Sequence, residues 1–331
     1  RPSLDELADG VRRADRALLV QAITLIESAH PRHRARAQEL LHRLLPATGD
    51  AQRVGITGVP GVGKSTFIEA LGLRLAEAGR RVAVLAVDPS SAVSGGSILG
   101  DKTRMGGLSS HPNAFVRPSP SSGSLGGGAS RTRETMLLCE AAGYEIVLIE
   151  TVGVGQSEIV VAEMVDFLLL LLLPGGGDEL QGIKRGILEH IDGVVVNKAD
   201  GARKTAAREA RAQYAAALRF VHPSDPHDGA PPVLAASAQT GDGLDAAWTM
   251  IDERLRARKA DGRLALRRRR QRRSWLWARI DDGLREAFRQ HPDVAAALEM
   301  LEADVVDDRV TPAHAAQRLI DIFRGADPDA R

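Results

Sequence analysis

The rhythm of apolar positions changes twice along the chain. Up to about residue 48 they recur at helical spacing, through Leu18, Leu19, Ile23, Leu25 and Ile26, and Ser3 and Glu6 stand at the spacing of a helix capping box. Residues 1–48 therefore read as a helical hairpin appended to the rest of the chain, since so short a stretch without cysteine or metal would struggle to fold alone. From Ala51 the texture becomes short β-branched runs alternating with Ala- and Leu-rich stretches, the pattern of βα units. Strands are expected over 53–57, 81–87, 114–116, 145–149, 165–173, 193–196 and 233–236, with helices over 64–78, 132–142, 181–190 and 206–220. The expected fold class is α/β, a doubly wound and mostly parallel sheet over 49–255. Beyond 255 the pattern is helical to residue 331, a C-terminal arm.

Three stretches depart from this alternation. Residues 117–130, RPSPSSGSLGGGAS, are too rich in Pro, Ser and Gly for regular structure and read as a long loop inside the domain. Residues 167–173, FLLLLLL, fall far short of the roughly 20 residues that span a bilayer and read as a buried central strand. The third is LALRRRRQRRSWLWARI, with its block of Arg267 to Arg270, Arg272 and Arg273. It reads as a helix whose charged face is solvated or paired with acids of another chain, while Leu264, Leu266, Trp275, Leu276 and Ile280 supply apolar contacts. Tryptophan is enriched in interface cores, so an oligomerisation arm is expected here.

Composition narrows the classes. Aromatics are 3% of the 331 residues, so the core must come from Leu, Val, Ile and Ala. With 44 basic and 43 acidic residues the net charge is +1, which gives no global drive toward nucleic acid or an anionic membrane. No nucleic-acid or membrane partner is expected. The one cysteine, Cys139, excludes an intramolecular disulfide and a Cys-rich metal cluster, and reads as a buried residue on a helix. The opening RPSLDELADGVRRADR is too charged for a secretory signal, so a cytoplasmic protein is expected.

The strongest chemical signal is Gly58, Val59, Pro60, Gly61, Val62, Gly63, Lys64 and Ser65, a complete G-x-x-x-x-G-K-S pattern followed by Thr66. It follows a strand and opens a helix, so backbone amides converge on phosphate oxygens. Lys64 is expected to reach the β- and γ-phosphates, and the Ser65 hydroxyl to ligate Mg²⁺. Asn197, Lys198, Ala199 and Asp200 follow the strand GVVV and specify the base. The Asp200 carboxylate accepts from guanine N1–H and its 2-amino group, which adenine lacks, while Asn197 braces the loop and the Lys198 stem lies on the purine. Ala236, Ser237 and Ala238 form a further guanine loop. The expected ligands are GTP and GDP with Mg²⁺.

On the metal side the strand EIVLI ends in Glu150, followed by Thr151, Val152 and Gly153. Glu150 stands where a Walker-B acid holds Mg²⁺ or its water, and the Gly153 N–H is placed to sense the γ-phosphate. Asp88 and Asp101 are further candidate ligands of the same cation. Val154, and not glutamine, follows Gly153, so intrinsic hydrolysis should be slow, with Gln156 or a loop ordered by a partner left to assist.

Taken together, GVPGVGKS, VAVLAVDPSS, GDKTRM, HPNAFVRPSPSSGSLGG, ETVGVGQSE, PGGGDELQGIKRGI and NKAD resemble the SIMIBI-class metal- and cofactor-delivery GTPases. Within them the chain is similar to the MeaB/ArgK group, GTPase chaperones of adenosylcobalamin-dependent methylmalonyl-CoA mutase, over roughly residues 20 to 290. The resemblance implies a P-loop GTPase fold with an N-terminal helical extension and a C-terminal dimerisation arm. It also implies a homodimer, slow hydrolysis accelerated by the mutase, gated cofactor loading and protection of the mutase. Asp88, Asp101 and Glu150 would serve Mg²⁺. The loop from Gly175 to Arg185 would couple nucleotide state to the mutase, with Lys184 reaching the nucleotide when the partner is bound. The loop's LPGGGDELQ is richer in glycine than the family pattern leads one to expect. Two other readings are weaker. A GTPase metallochaperone for nickel or cobalt would call for clustered histidine or cysteine, whereas the nine histidines are scattered. A kinase acting on a transport protein would need an acceptor-binding motif, and the sequence offers none.

Overall fold

The computed structural model describes residues 2–28, 30–87, 105–117, 127–151, 157–175, 185–221 and 228–325. Seven strands form one sheet: β1 (Gln52–Gly58), β2 (Val82–Val87), β3 (Ala114–Arg117), β4 (Ile146–Thr151), β5 (Phe167–Leu172), β6 (Gly193–Val196) and β7 (Val233–Ala235). Their order is β3-β2-β4-β1-β5-β6-β7 and every pairing is parallel. β4 and β5 are buried along their whole length. Continuous apolar runs such as FLLLLL arise where helices cover both faces of a parallel sheet and neither face meets water.

The N-terminal segment is three helices and not the expected hairpin: α1 (Leu4–Arg12), α2 (Arg16–Glu27) and α3 (Pro31–Leu44). The capping box is formed, with the Ser3 N–H donating to Glu6 at 2.7 Å and the Glu6 N–H to Ser3 Oγ at 3.2 Å. The extra break comes from Asp15, whose carboxylate accepts from the Ala17 and Leu18 amides and starts a new helix. The three helices lie in the same compact unit as the sheet.

Among the described residues the remaining α-helices are α4 (Lys64–Glu77), α5 (Gly106–Ser110), α6 (Gly127–Ala141), α7 (Ser157–Ala162), α8 (Arg185–Leu188), α9 (Lys204–Val221), α10 (Leu244–Ala260), α11 (Arg263–Gln290), α12 (Pro292–Val306) and α13 (Pro312–Phe323). Phe67, Ile68 and Leu71 of α4 pack with Val54 and Ile56 of β1 and with Ile251 and Leu255 of α10 in one buried cluster. Full burial stabilises each such side chain by about 1.5–3 kcal/mol. The loop expected over 117–130 is shorter than that, because α6 already begins at Gly127. Of the helix expected over 181–190, residues 185–190 are described, and Arg185–Leu188 among them form α8. Cys139 is fully buried on α6, and burial pushes its thiol well above the ordinary value.

The amino-terminal ends of the strands are held by buried charges. Asp166, just before β5, accepts from the Arg53 N–H at 2.9 Å and pairs with Arg268 at 2.6 Å. Asp192, just before β6, accepts from the Leu168 N–H at 2.8 Å and pairs with Arg258 at 2.7 Å and Arg267 at 3.1 Å. Arg53 in turn pairs with Glu140 of α6 at 2.6 Å. Two arginines of the block expected to face solvent or another chain are thus spent on acids of the same chain. Buried carboxylates drew them in, because a charge there is tolerated only when paired.

The chain divides into two compact units, Arg1–Gln271 and Arg272–Arg331. The second unit has its own core of Val294, Leu301, Ala315 and Leu319, flanked by an edge-to-face pair of Phe288 and Phe323 with ring centroids 5.4 Å apart. Asp166→Ala strands the buried Arg268 guanidinium, and the unfolding free energy is expected to fall by about 3–5 kcal/mol in a denaturant titration. A loss below about 1 kcal/mol, the level of a surface pair, would contradict the anchoring role.

Candidate nucleotide-binding site

β1 runs straight into the loop and α4 runs straight out of it. Gly58 has φ 151°, and a Cβ there would lie 2.5 Å from the Leu171 carbonyl oxygen of the neighbouring strand. Only glycine fits so close to that backbone. Gly63, the N-cap of α4, has φ 94° and brings no side-chain cap. The first-turn amides of α4 are therefore left for an anion, which the helix N-terminus also favours through its dipole.

Lys64 is buried, and its ammonium donates to the Gly58 and Val59 carbonyls at 2.8 and 3.2 Å, curling over its own loop. Burial lowers its pKa, and the carboxylates of Glu150 and Glu158 offset part of that shift. A polyphosphate beside it would stabilise the charge further. Ser65 Oγ donates to Glu150 Oε1 at 2.7 Å. Register explains the meeting: Glu150 of β4 stands beside Ile56 of β1, two residues before the loop starts. Below them Thr151 Oγ1 donates to Thr57 Oγ1 at 2.9 Å and ties the two strand ends. The hydroxyl and the carboxylate are hard oxygen donors of the kind Mg²⁺ takes, so the residues present fit that ion.

The second loop interlocks with the first. The Asn197 side-chain amide donates to the Val62 carbonyl at 2.9 Å, and its oxygen accepts from the Ala238 N–H at 3.3 Å. Lys198 has φ 58°, a left-handed backbone uncommon for a side-chain-bearing residue, and its ammonium reaches the Gly61 carbonyl at 2.7 Å. The Ala199 N–H donates to the Ala236 carbonyl at 3.0 Å. Ser237, fully buried, donates its hydroxyl to Asp200 Oδ2 at 2.6 Å and accepts from the Thr240 N–H at 3.2 Å. Asp200 is thus aimed by a fixed neighbour.

The structure brings together Gly58 to Ser65, Glu150, Asn197, Lys198, Asp200 and Ala236 to Ala238. Thr66 is exposed on α4. Asp88, Asp101, Gly153, Gln156 and Lys184 lie outside the described residues, as does the coupling loop apart from Gly175 and Arg185. Glu158 of α7 escaped sequence reasoning, although an acid in the first turn of the helix after ETVGVGQ was a visible signal.

Fold and site define a P-loop nucleotide-binding protein with a guanine-type second loop. Residues 19–293 match the family described as methylmalonyl Co-A mutase-associated GTPase MeaB. A putative GTPase of Caulobacter vibrioides is 56% identical over 97% of this chain and 98% of its own length. The methylmalonic aciduria type A homolog, mitochondrial, of Mus musculus is 46% identical over 97% of this chain and 80% of its own. The crystal structure of a LAO/AO transport system kinase matches with a TM-score of 0.75 and 38% identity, covering 97% of each chain. The chain belongs to the MeaB family of GTPases, and with the family comes binding of a guanine nucleotide.

Asn197→Ala leaves the Val62 carbonyl and the Ala238 N–H without their partner. Guanine nucleotide binding is expected to weaken by about 1–3 kcal/mol, read by titrating a fluorescent GDP analogue. An unchanged affinity would show that the two loops hold each other by other means.

Proposed function

We propose that this chain is a GTP-binding, slowly hydrolysing chaperone that gates cofactor loading of, and protects, an adenosylcobalamin-dependent acyl-CoA mutase, with methylmalonyl-CoA mutase the first candidate client. The observation that carries the GTP part is the aimed Asp200 carboxylate on a loop bound directly to the phosphate loop through Asn197 and Val62. The mutase part rests on family membership, and the description of the family supports it.

In this reading Lys64 and the α4 amides hold the phosphates, and Asp200 reads the guanine edge. Ser65 and Glu150 hold Mg²⁺ together with Asp88 and Asp101, and the ion supplies charge neutralisation on the phosphates. The Gly153 N–H senses the γ-phosphate, and Lys184 completes the site when the mutase is bound. Hydrolysis is slow because Val154 stands where many GTPases place a water-orienting glutamine.

A homodimer belongs to the same proposal. Leu276, Ile280 and Leu284 of α11 repeat every fourth residue and are 59%, 38% and 57% exposed, beside Trp277 at 58%. Such a stripe supports burial against a second copy. No helix among the described residues is long and apolar enough to cross a membrane, and the cytoplasm is the proposed compartment.

The test is a turnover assay with the cobalamin-dependent mutase of the same organism. The mutase is expected to bind the chain and raise its GTPase rate, and Lys184→Ala to weaken that stimulation more than it weakens GTP binding. If no such mutase binds the chain or alters its turnover, the chaperone reading is wrong.

A further inference from the structure

The loop between β7 and α10 closes on itself. The Ser237 N–H donates to the Asp242 carbonyl and the Gly241 N–H to the Ser237 carbonyl, each at 2.8 Å. Gly241 has φ 83° and Gly243 φ 77°, left-handed values that favour glycine. A Cβ at Gly243 would run into the Ala235 carbonyl oxygen. The turn is therefore tight, and its return limb, Gly241 and Asp242, is bonded to the backbone of the residue whose hydroxyl aims Asp200.

A side chain from outside the loop lies on that limb. Arg74 of α4 puts its guanidinium where a Cβ at Gly241 would stand, so the planar group packs against the bare face of the glycine. Its Nη1 also pairs with Asp245, in the first turn of α10, at 2.5 Å. The two helices do not need this pair to stay together. Phe67, Ile68 and Leu71 of α4 share one buried cluster with Leu244, Ala247 and Ile251 of α10. The Arg74 and Asp245 side chains are 38% and 82% exposed, and a pair so exposed contributes little to stability. What Arg74 does contribute is a fixed surface under the return limb.

We infer that Arg74 is a positioning residue for guanine recognition: its guanidinium, held by Asp245, seats Gly241 and Asp242, which fix Ser237 and through it the Asp200 carboxylate. This rests on the guanine reading of Asp200 above. The helix that opens with Lys64 and Ser65 thereby also sets the loop behind the base-reading carboxylate. Every link in that chain is a contact between described residues.

The test reads the second hydrogen bond to the base. Inosine diphosphate lacks the 2-amino group of GDP, so the ratio of the two affinities reports how squarely Asp200 faces the base edge. The full chain is used as wild type, Arg74→Ala and Asp245→Ala. GDP and inosine diphosphate compete against a fluorescent GDP analogue, and the thermal unfolding midpoint is measured alongside. Both variants are expected to lower the preference for GDP about threefold to fivefold and to leave inosine diphosphate affinity within about twofold. Should Arg74→Ala fail to fold, Asp245→Ala, at a largely exposed position, carries the test alone. A merely structural pair would weaken both nucleotides equally or lower the unfolding midpoint with the ratio unchanged, and either result overturns the inference. If the wild-type chain does not distinguish GDP from inosine diphosphate, the guanine reading of Asp200 fails and takes this inference with it.

Discussion

The side chain of Asn197 is shared between three loops, and the nucleotide site depends on it. Its amide donates to the Val62 carbonyl inside the phosphate loop, and its oxygen accepts from Ala238 in the second guanine loop. Lys198 adds a second tie, to Gly61. The loop proposed to read the base and the loop proposed to grip the phosphates are thereby tied into one body. Preorganisation of this kind means that binding energy is not spent on assembling the site. It also bears on Gly63, where a Cβ would lie 3.0 Å from the Asn197 side-chain nitrogen, close enough to make that amide shift.

That body needs a frame, and the frame is fastened at the other end of the sheet. Asp166 and Asp192 stand at the starts of β5 and β6, each accepting a backbone N–H of a neighbouring strand while pairing with arginines from the α10 and α11 region. β6 leads directly into Asn197, so a strand with a fixed origin delivers that residue to a fixed place. The apolar face of α4 against β1 does the same for the phosphate loop.

The phosphate loop was legible because its constraint is local: φ near 151° at Gly58 and the contact with Leu171 leave one residue type, and the motif records it. NKAD stands out in the sequence for a like reason, since the proposed guanine reading demands a carboxylate at Asp200. The apolar run of β5 announced a strand buried on both faces. What could not be read depended on partners distant in sequence. Nothing near Arg268 says that it will meet Asp166, 102 residues away, and charge patterning alone suggested solvent or another chain. The start of α6 was hidden by its two glycines and Ser130, whose weak helix propensity is overridden by the buried turns further along the helix, at Met136, Leu138 and Cys139. The break between α1 and α2 was signalled by Asp15, but a single Asp is ambiguous until its carboxylate is seen on the next amides.

The central claim is that Asp200, aimed by Ser237, makes this a guanine site. Equilibrium binding of GTP, ATP and xanthosine triphosphate to the wild-type chain and to Asp200→Asn tests it directly. The wild type should prefer GTP to ATP by orders of magnitude, because a carboxylate left unpaired beneath the wrong base rejects it. The substitution should move the preference toward xanthosine triphosphate, whose 2-oxo group accepts where guanine donates. Equal affinity of the wild type for GTP and ATP, or an unaltered preference in Asp200→Asn, would contradict the account.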